Sequence, residues 1–199
     1  KLRDLMNDRK MLVKDIATRK AIIKEYENNT SEGRFKRAVA CKALLESQLK
    51  DIEREMIELI GSVESMAENF RLLKSIPGIS FVNAVNLIIF TDNFKGFSDA
   101  RKFASYCGIA PFEYSSGTSI NKGTHVSKMA NKMLKADLSM AARATVWCDT
   151  ELKTYYERKR AEGKSFGCVL NAVKFKLICR AFAVIKRGTP YVNTKKFAV

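Results

Sequence analysis

FKRAVACKALLESQLKDIEREMIELIGSVESMAENFRLLK, residues 35–74, is the stretch on which the reading of the fold turns. Phe35, Ala38, Lys42, Leu45, Leu49, Ile52, Met56, Leu59, Val63, Met66, Phe70 and Leu73 fall on alternating steps of three and four, and eleven of these twelve positions are apolar. Such steps keep one stripe on one face of an α-helix, and a seven-residue repeat of that stripe is the seam of a helix paired with another. Upstream, Leu2, Leu5, Leu12, Ile16, Ile23 and Tyr26 keep the same rhythm, with Arg9 and Arg19 as its breaks. Between the two runs, Glu27 to Gly33 is polar, and Thr30 or Ser31 can cap the second helix. Residues 1–74 therefore predict a long antiparallel coiled-coil hairpin whose second helix outruns the first by about four turns. The surplus seam needs a partner, either the chain's own second half or a second copy. The expectation is a homo-oligomer, dimer or higher, assembled through the coiled coil.

Downstream, Ser75-Ile76-Pro77-Gly78-Ile79-Ser80 breaks the helix and introduces an apolar segment from Phe81 to Phe90. It resembles a helix-hairpin-helix turn, with Gly78 letting the backbone approach a phosphate and Ser80 where a second glycine is usual. A plain connector between packed helices has the same composition. A helix capped by Ser98 should then run to Tyr106, carrying Arg101 and Lys102, and stop at Gly108 and Pro111. From Pro111 to Thr124 the composition reads as a long exposed loop, and residues 111–126 form the serine-bearing segment. Helical periodicity returns from Ser127 to Trp147, from Asp149 to Ala161 and from Ser165 to Arg187. No stretch reads as a period-two strand, so the fold class is all-α. The organisation is a hairpin at 1–74, a basic helical domain at 75–192 and a tail at 193–199.

Charge says where a partner should lie. The chain holds 36 Lys plus Arg against 21 Asp plus Glu, a net charge of +15. Residues 1–75 contribute 16 basic and 13 acidic residues, leaving 20 and 8 for residues 76–199, so the second part carries +12. That excess calls for an anionic partner, DNA before all, against the second half. No apolar run approaches the ~18 residues of a membrane span, so no membrane partner is expected. Five widely spaced cysteines without a CxxC pair fit reduced thiols in a cytoplasm, and a single histidine makes a metal cluster improbable. The chain begins at Lys1 without a methionine, and on that ground it reads as a piece of something longer.

The residues able to do chemistry gather in the serine segment: Ser115, Ser116, Gly117, Ser119, Lys122, Gly123, His125 and, just beyond, Lys128. A serine beside glycine can approach a phosphodiester, and Lys122 and Lys128 can neutralise phosphate charge. The same residues also make an ordinary loop. His125 has no carboxylate spaced to orient it, which favours a phosphate contact over a Ser-His pair. The carboxylates after residue 76 are scattered and do not form the compact set that two-metal phosphoryl transfer needs.

Several short runs occur in a characteristic order: Ile-Pro-Gly-Ile-Ser (76–80), Tyr-Cys-Gly-Ile-Ala-Pro (106–111), Ser-Ser-Gly (115–117), Lys-Gly (122–123), Ser-Lys followed by Leu and Ala-Ala (127–142), and Tyr-Tyr-Glu-Arg…Gly-Lys (155–164). Together they resemble the insertion-sequence one-ten type of transposases, also called bridge-RNA-guided recombinases, over roughly residues 70–192. The resemblance implies a C-terminal transposase domain behind a coiled coil, with an N-terminal RNase-H-like domain bearing four carboxylates elsewhere. It implies that Ser116, or Ser115 in the neighbouring register, attacks a DNA phosphate to form a 5′-phosphoserine. The residues themselves, through the hairpin-like turn, the basic serine segment and the helix starts, make Gly78, Ser80, Arg101, Lys102, Gly117, Lys122, His125, Lys128 and Lys132 the expected nucleic-acid contacts. The resemblance also implies a structured guide RNA as partner. No cofactor is expected on these residues, and magnesium is expected on the absent domain of the full-length protein. The competing expectation is a non-catalytic module for nucleic-acid binding and oligomerisation.

Overall fold

The computed structural model describes residues 1–26, 32–116, 120–126 and 130–193, with the backbone alone described for 111–116 and 120–125. The chain divides into two compact units, residues 1–67 and 68–199.

In the first unit, α1 (Leu2–Tyr26) and α2 (Glu32–Gly61) pack side by side. Ion pairs fix the antiparallel sense, because Lys1 near the start of α1 reaches Glu55 at 3.2 Å and Arg9 reaches Glu53 at 2.8 Å. The seam residues on both helices are buried or half-buried, with Leu2, Leu5, Met6, Ile16, Ala38, Met56 and Ile60 buried. Arg9, a break in the apolar stripe, is kept at the seam by its bond to Glu53.

The expected surplus of four turns is corrected. The second helix stops at Gly61, so it has 30 residues against 25 in α1, and α3 (Glu64–Lys74) begins after a two-residue interruption. Glycine weakens the helix at that point, and the Ser62 hydroxyl bonds back to the Leu59 carbonyl at 2.8 Å. Val63, a seam position, is left 43% exposed there. Beyond the break the apolar positions serve the second unit, where Leu72 and Leu73 are buried and Phe70 meets Phe81 edge-on at 5.8 Å.

The second unit continues with α4 (Phe81–Thr91), α5 (Ala100–Tyr106), α6 (Lys132–Cys148), α7 (Thr150–Ala161) and α8 (Phe166–Arg187). Side-chain caps start each of these helices: Ser80, Asp99, Asn131, Asp149 and Ser165 accept a backbone N–H three residues on. Asp99 rather than Ser98 caps α5, and its carboxyl is held below the usual range chiefly by the Lys102 backbone N–H. α8 ends at Gly188 in the left-handed region, φ 69°. The core is built from Leu87 and Ile88 of α4, Phe103 of α5, Leu134 and Leu138 of α6, Leu152 of α7 and Val173, Leu177 and Ile178 of α8.

Helices carry most of the core among the described residues, as an all-α reading requires, but the expected loop is different. Residues Pro111–Ser116 (β1) and Ile120–Val126 (β2) pair as a two-stranded antiparallel sheet. Phe112-Glu-Tyr-Ser does alternate, yet Pro, Ser and Gly around it read as loop signals. The pairing also slips: Glu113 faces Thr124 while Ser115 faces Asn121, so β2 holds one extra residue at the Lys122-Gly123 step. A bulge of this kind interrupts period two and hides the strand from pattern reading.

Candidate functional site

The serine hairpin stands on a fixed base. Gly108, at φ 65°, turns the chain after α5, and Ile109 follows with its N–H on the Ala104 carbonyl at 2.8 Å and its side chain buried. Asn171 of α8 donates to the Ile109 carbonyl at 2.6 Å. At the other foot, the Asn131 N–H donates to the Tyr106 carbonyl at 3.1 Å while its side chain caps α6. Phe103 supports this base from below, ringed by Phe97 at 5.1 Å and Phe182 at 5.9 Å.

Ser115 and Ser116 occupy the free end of the hairpin, opposite Asn121 and Ile120. Successive strand positions alternate between the two faces, so the two serines do not occupy equivalent places. Lys122 and His125 lie on β2, and His125 is paired with Phe112 close to the base, away from the serines. Gly117, Ser119 and Lys128 lie outside the described residues, as do the proposed caps Thr30 and Ser31.

The remaining predicted contacts disperse over the unit. Gly78 has φ 86°, and a Cβ there would stand 1.8 Å from the Thr145 hydroxyl of α6, which itself bonds to the Pro77 carbonyl at 3.4 Å. Glycine is thus required to seat the turn on α6, the connector role that the sequence left open. Ser80 spends its hydroxyl on capping α4, accepting from the Asn83 N–H at 3.3 Å. Arg101 and Lys102 are exposed in the first turn of α5, and Lys132 is exposed in the first turn of α6.

One group of cations was not singled out by sequence reasoning. Lys174 of α8 is only 5% exposed, donates to the Ser139 hydroxyl at 3.1 Å and lies near Lys135 and Arg143 of α6. Its signal was there to read: Lys174 falls midway between Leu170 and Ile178 on a buried stripe. Two carboxylates of the unit are used structurally. Asp149, whose side chain is fully enclosed, caps α7 and binds Arg180 at 2.8 Å, and Glu151 takes the other side of the same guanidinium at 2.9 Å. All five cysteines are free, and burial pushes the Cys107 thiol up to about 12. Among the described residues no helix is long and apolar enough to cross a membrane.

Residues 70–157 match the family described as Transposase IS116/IS110/IS902 family. The insertion element IS110 uncharacterized 43.6 kDa protein of Streptomyces coelicolor is 33% identical over 150 residues, covering 74% of this chain and 37% of that protein. The pilin gene-inverting protein of Moraxella bovis is 26% identical over 144 residues, 72% of this chain and 45% of its own length. The insertion element IS116 uncharacterized 44.8 kDa protein of Streptomyces clavuligerus is 28% identical over 119 residues, 60% of this chain and 29% of that protein. The chain thus spans less than half the length of these relatives. The family match runs from α3 into α7 and encloses the Gly78 turn, the serine hairpin and α6. Over residues 70–157 the chain carries a transposase IS116/IS110/IS902 family domain, and that segment is the one that carries the paired serines.

Proposed function

We propose that these residues form the DNA-handling, C-terminal part of a transposase or site-specific recombinase in which Ser116 supplies the nucleophile for strand cleavage. The observation that supports this most is the position of Ser115 and Ser116 at the free end of a hairpin whose base is tied to α5, α6 and α8, inside the family segment. A hairpin so mounted can carry a nucleophile to a phosphodiester while the helical core keeps its own packing. In the cleavage step the Ser116 Oγ–phosphorus bond forms and the phosphorus–O3′ bond breaks. The hydroxyl proton passes by way of base or solvent to the leaving 3′-oxygen, giving a 5′-phosphoserine and a free 3′-OH. Attack by a 3′-OH of another strand reverses the step and returns the proton to serine. Lys122, Lys128 and His125 offset phosphate charge near the hairpin, and Arg101, Lys102 and Lys132 extend the basic surface.

Names borne by the relatives, an insertion element and a gene-inverting protein, are in keeping with action on DNA segments. In this reading a further domain of the full-length protein contributes carboxylates that hold magnesium, and a structured guide RNA directs the complex. A second copy joins through α1 and α2, which leave Met11, Leu44 and Ile57 more than half exposed.

The test uses the full-length protein with element ends, guide RNA and magnesium, resolving protein–DNA adducts on a denaturing gel. Ser116→Ala should abolish the adduct and Ser115→Ala should retain it. Loss with Ser115→Ala alone moves the nucleophile to Ser115. Recombination without any adduct assigns cleavage to the other domain and leaves this chain a binding and assembly module.

A further inference from the structure

The groove where α6 meets α8 carries three cations on facing turns. Ser139 sits at the middle of the α6 face, with its hydroxyl on the Lys135 carbonyl at 2.6 Å, and Lys135 and Arg143 lie one turn to either side. From α8, Lys174 enters this face and donates to the same Ser139 hydroxyl at 3.1 Å. Arg143 is held at the groove's end over the Phe166 ring, 5.7 Å from its centroid.

Such an arrangement is costly in the free protein. An ammonium enclosed at 5% exposure has given up most of its water, and a single neutral hydroxyl replaces it. Among the described residues no carboxylate pairs with Lys174, Lys135 or Arg143. Burial, then the charges of Lys135 and Arg143, push the Lys174 ammonium below its usual range. Arg180, whose side chain is 13% exposed, shows the contrast, since it meets both Asp149 and Glu151. A fold that compensates one largely covered cation twice and, among the described residues, leaves a more enclosed one without a carboxylate has kept the second for an anion that arrives from outside.

We infer that Lys174, Lys135 and Arg143 form a seat for one backbone phosphate of bound DNA. The inference rests on the DNA-handling reading above and adds to it a fixed phosphate contact on rigid helices, separate from the serine hairpin. Lys174 sets the position, anchored by Ser139. Lys135 and Arg143 close on the phosphate from the two sides, and the long α6 and α8 helices define where the duplex lies relative to the hairpin.

The test measures DNA affinity of the chain as a function of salt, together with thermal unfolding, for wild type, Lys174→Met and the surface control Lys153→Met. Lys174→Met should weaken DNA binding by about tenfold and lower the slope of log affinity against log salt by about 0.9, the value for one neutralised phosphate. Without DNA the same substitution should raise the unfolding midpoint by about 2–4 °C, because it removes an enclosed, unpaired charge. Lys153→Met should leave the midpoint unchanged and alter the slope by less than about 0.3. A merely structural lysine gives the reverse pattern, a lowered midpoint with an unchanged slope, and that result overturns the inference. An effect of Lys174→Met on an RNA hairpin but not on DNA overturns the assignment to DNA. Stabilisation of wild type by inorganic phosphate, lost in Lys174→Met with DNA affinity intact, makes the seat one for a free anion and also overturns it. Absence of any DNA binding by wild type at 50 mM salt, about the low end at which such contacts are strongest, defeats the broader reading rather than the seat alone.

Discussion

The paired helices of the first unit and the helical bundle of the second differ in how much of their positive charge is balanced by acid. On α1 and α2 cations meet carboxylates: Lys1 with Glu55, Arg9 with Glu53, Lys36 with Glu32, Lys42 with Glu46 and Arg54 with Asp51. In the second unit Arg180 meets two carboxylates, but Lys135, Arg143 and Lys174 are grouped with no carboxylate paired to them among the described residues, and Arg101, Lys102 and Lys132 stand exposed. The net charges of +3 for residues 1–75 and +12 for residues 76–199 are the sequence-level trace of that difference. Charge paired within or between helices is balanced inside the fold, whereas on the proposed reading the open charge is left for a polyanion.

Substitutions can sharpen or break this contrast. The largest effect is expected where the second unit is most tightly built. Gly78→Ala should destabilise that unit by roughly 4 kcal/mol in urea unfolding, since both φ 86° and the Thr145 hydroxyl oppose a Cβ. Gly163, at φ 80° with open space around it, should cost only about 1 kcal/mol for the same change. Next, Arg180→Met should cost about 3 kcal/mol by stranding the enclosed Asp149 carboxylate. An equal loss from Arg9→Met would erase the distinction between the units. Its partner Glu53 is one-third exposed, and about 1 kcal/mol or less is expected.

Cys107 offers a test through pH. Its folded thiol titrates at about 12 against 9.0 for the free group, so the unfolded chain ionises first as pH rises. Stability contributed by the buried neutral thiol is therefore intact below pH 9 and lost between about pH 9 and pH 12, at up to about 1.4 kcal/mol per pH unit. Comparison with Cys107→Ala isolates that slope. At pH 8 a thiol reagent should label the exposed Cys148 and Cys168 and spare Cys107. The smallest effect belongs to the exposed Lys36–Glu32 pair, where Lys36→Gln should change stability by less than about 0.5 kcal/mol.

Much of this architecture was legible in the residue order because it depends on local periodicity and capping. The seam positions on α1 and α2 came out buried or half-buried, and the start of α8 after Ser165 and its end at Gly188 follow from residues adjacent in the chain. The sequence marks the serine segment as a candidate for chemistry, but its strand pairing is not legible there, because a bulge and loop-forming residues mask the alternation. The helix break at Gly61 was also missed, since the heptad rhythm runs through it unaltered.

By itself the sequence determined the helical class, the concentration of positive charge in the second half and the motif order that places the chain in its family. These are properties of periodicity and composition, which survive without knowing what touches what. Only the tertiary structure decided that Gly78 serves packing against Thr145, that Asp149 and Glu151 are consumed by Arg180, and that Lys174 is enclosed beside Lys135 and Arg143. Each of those assignments depends on residues some 30 or more positions apart meeting in space, and on whether a charge, once buried, finds its opposite there.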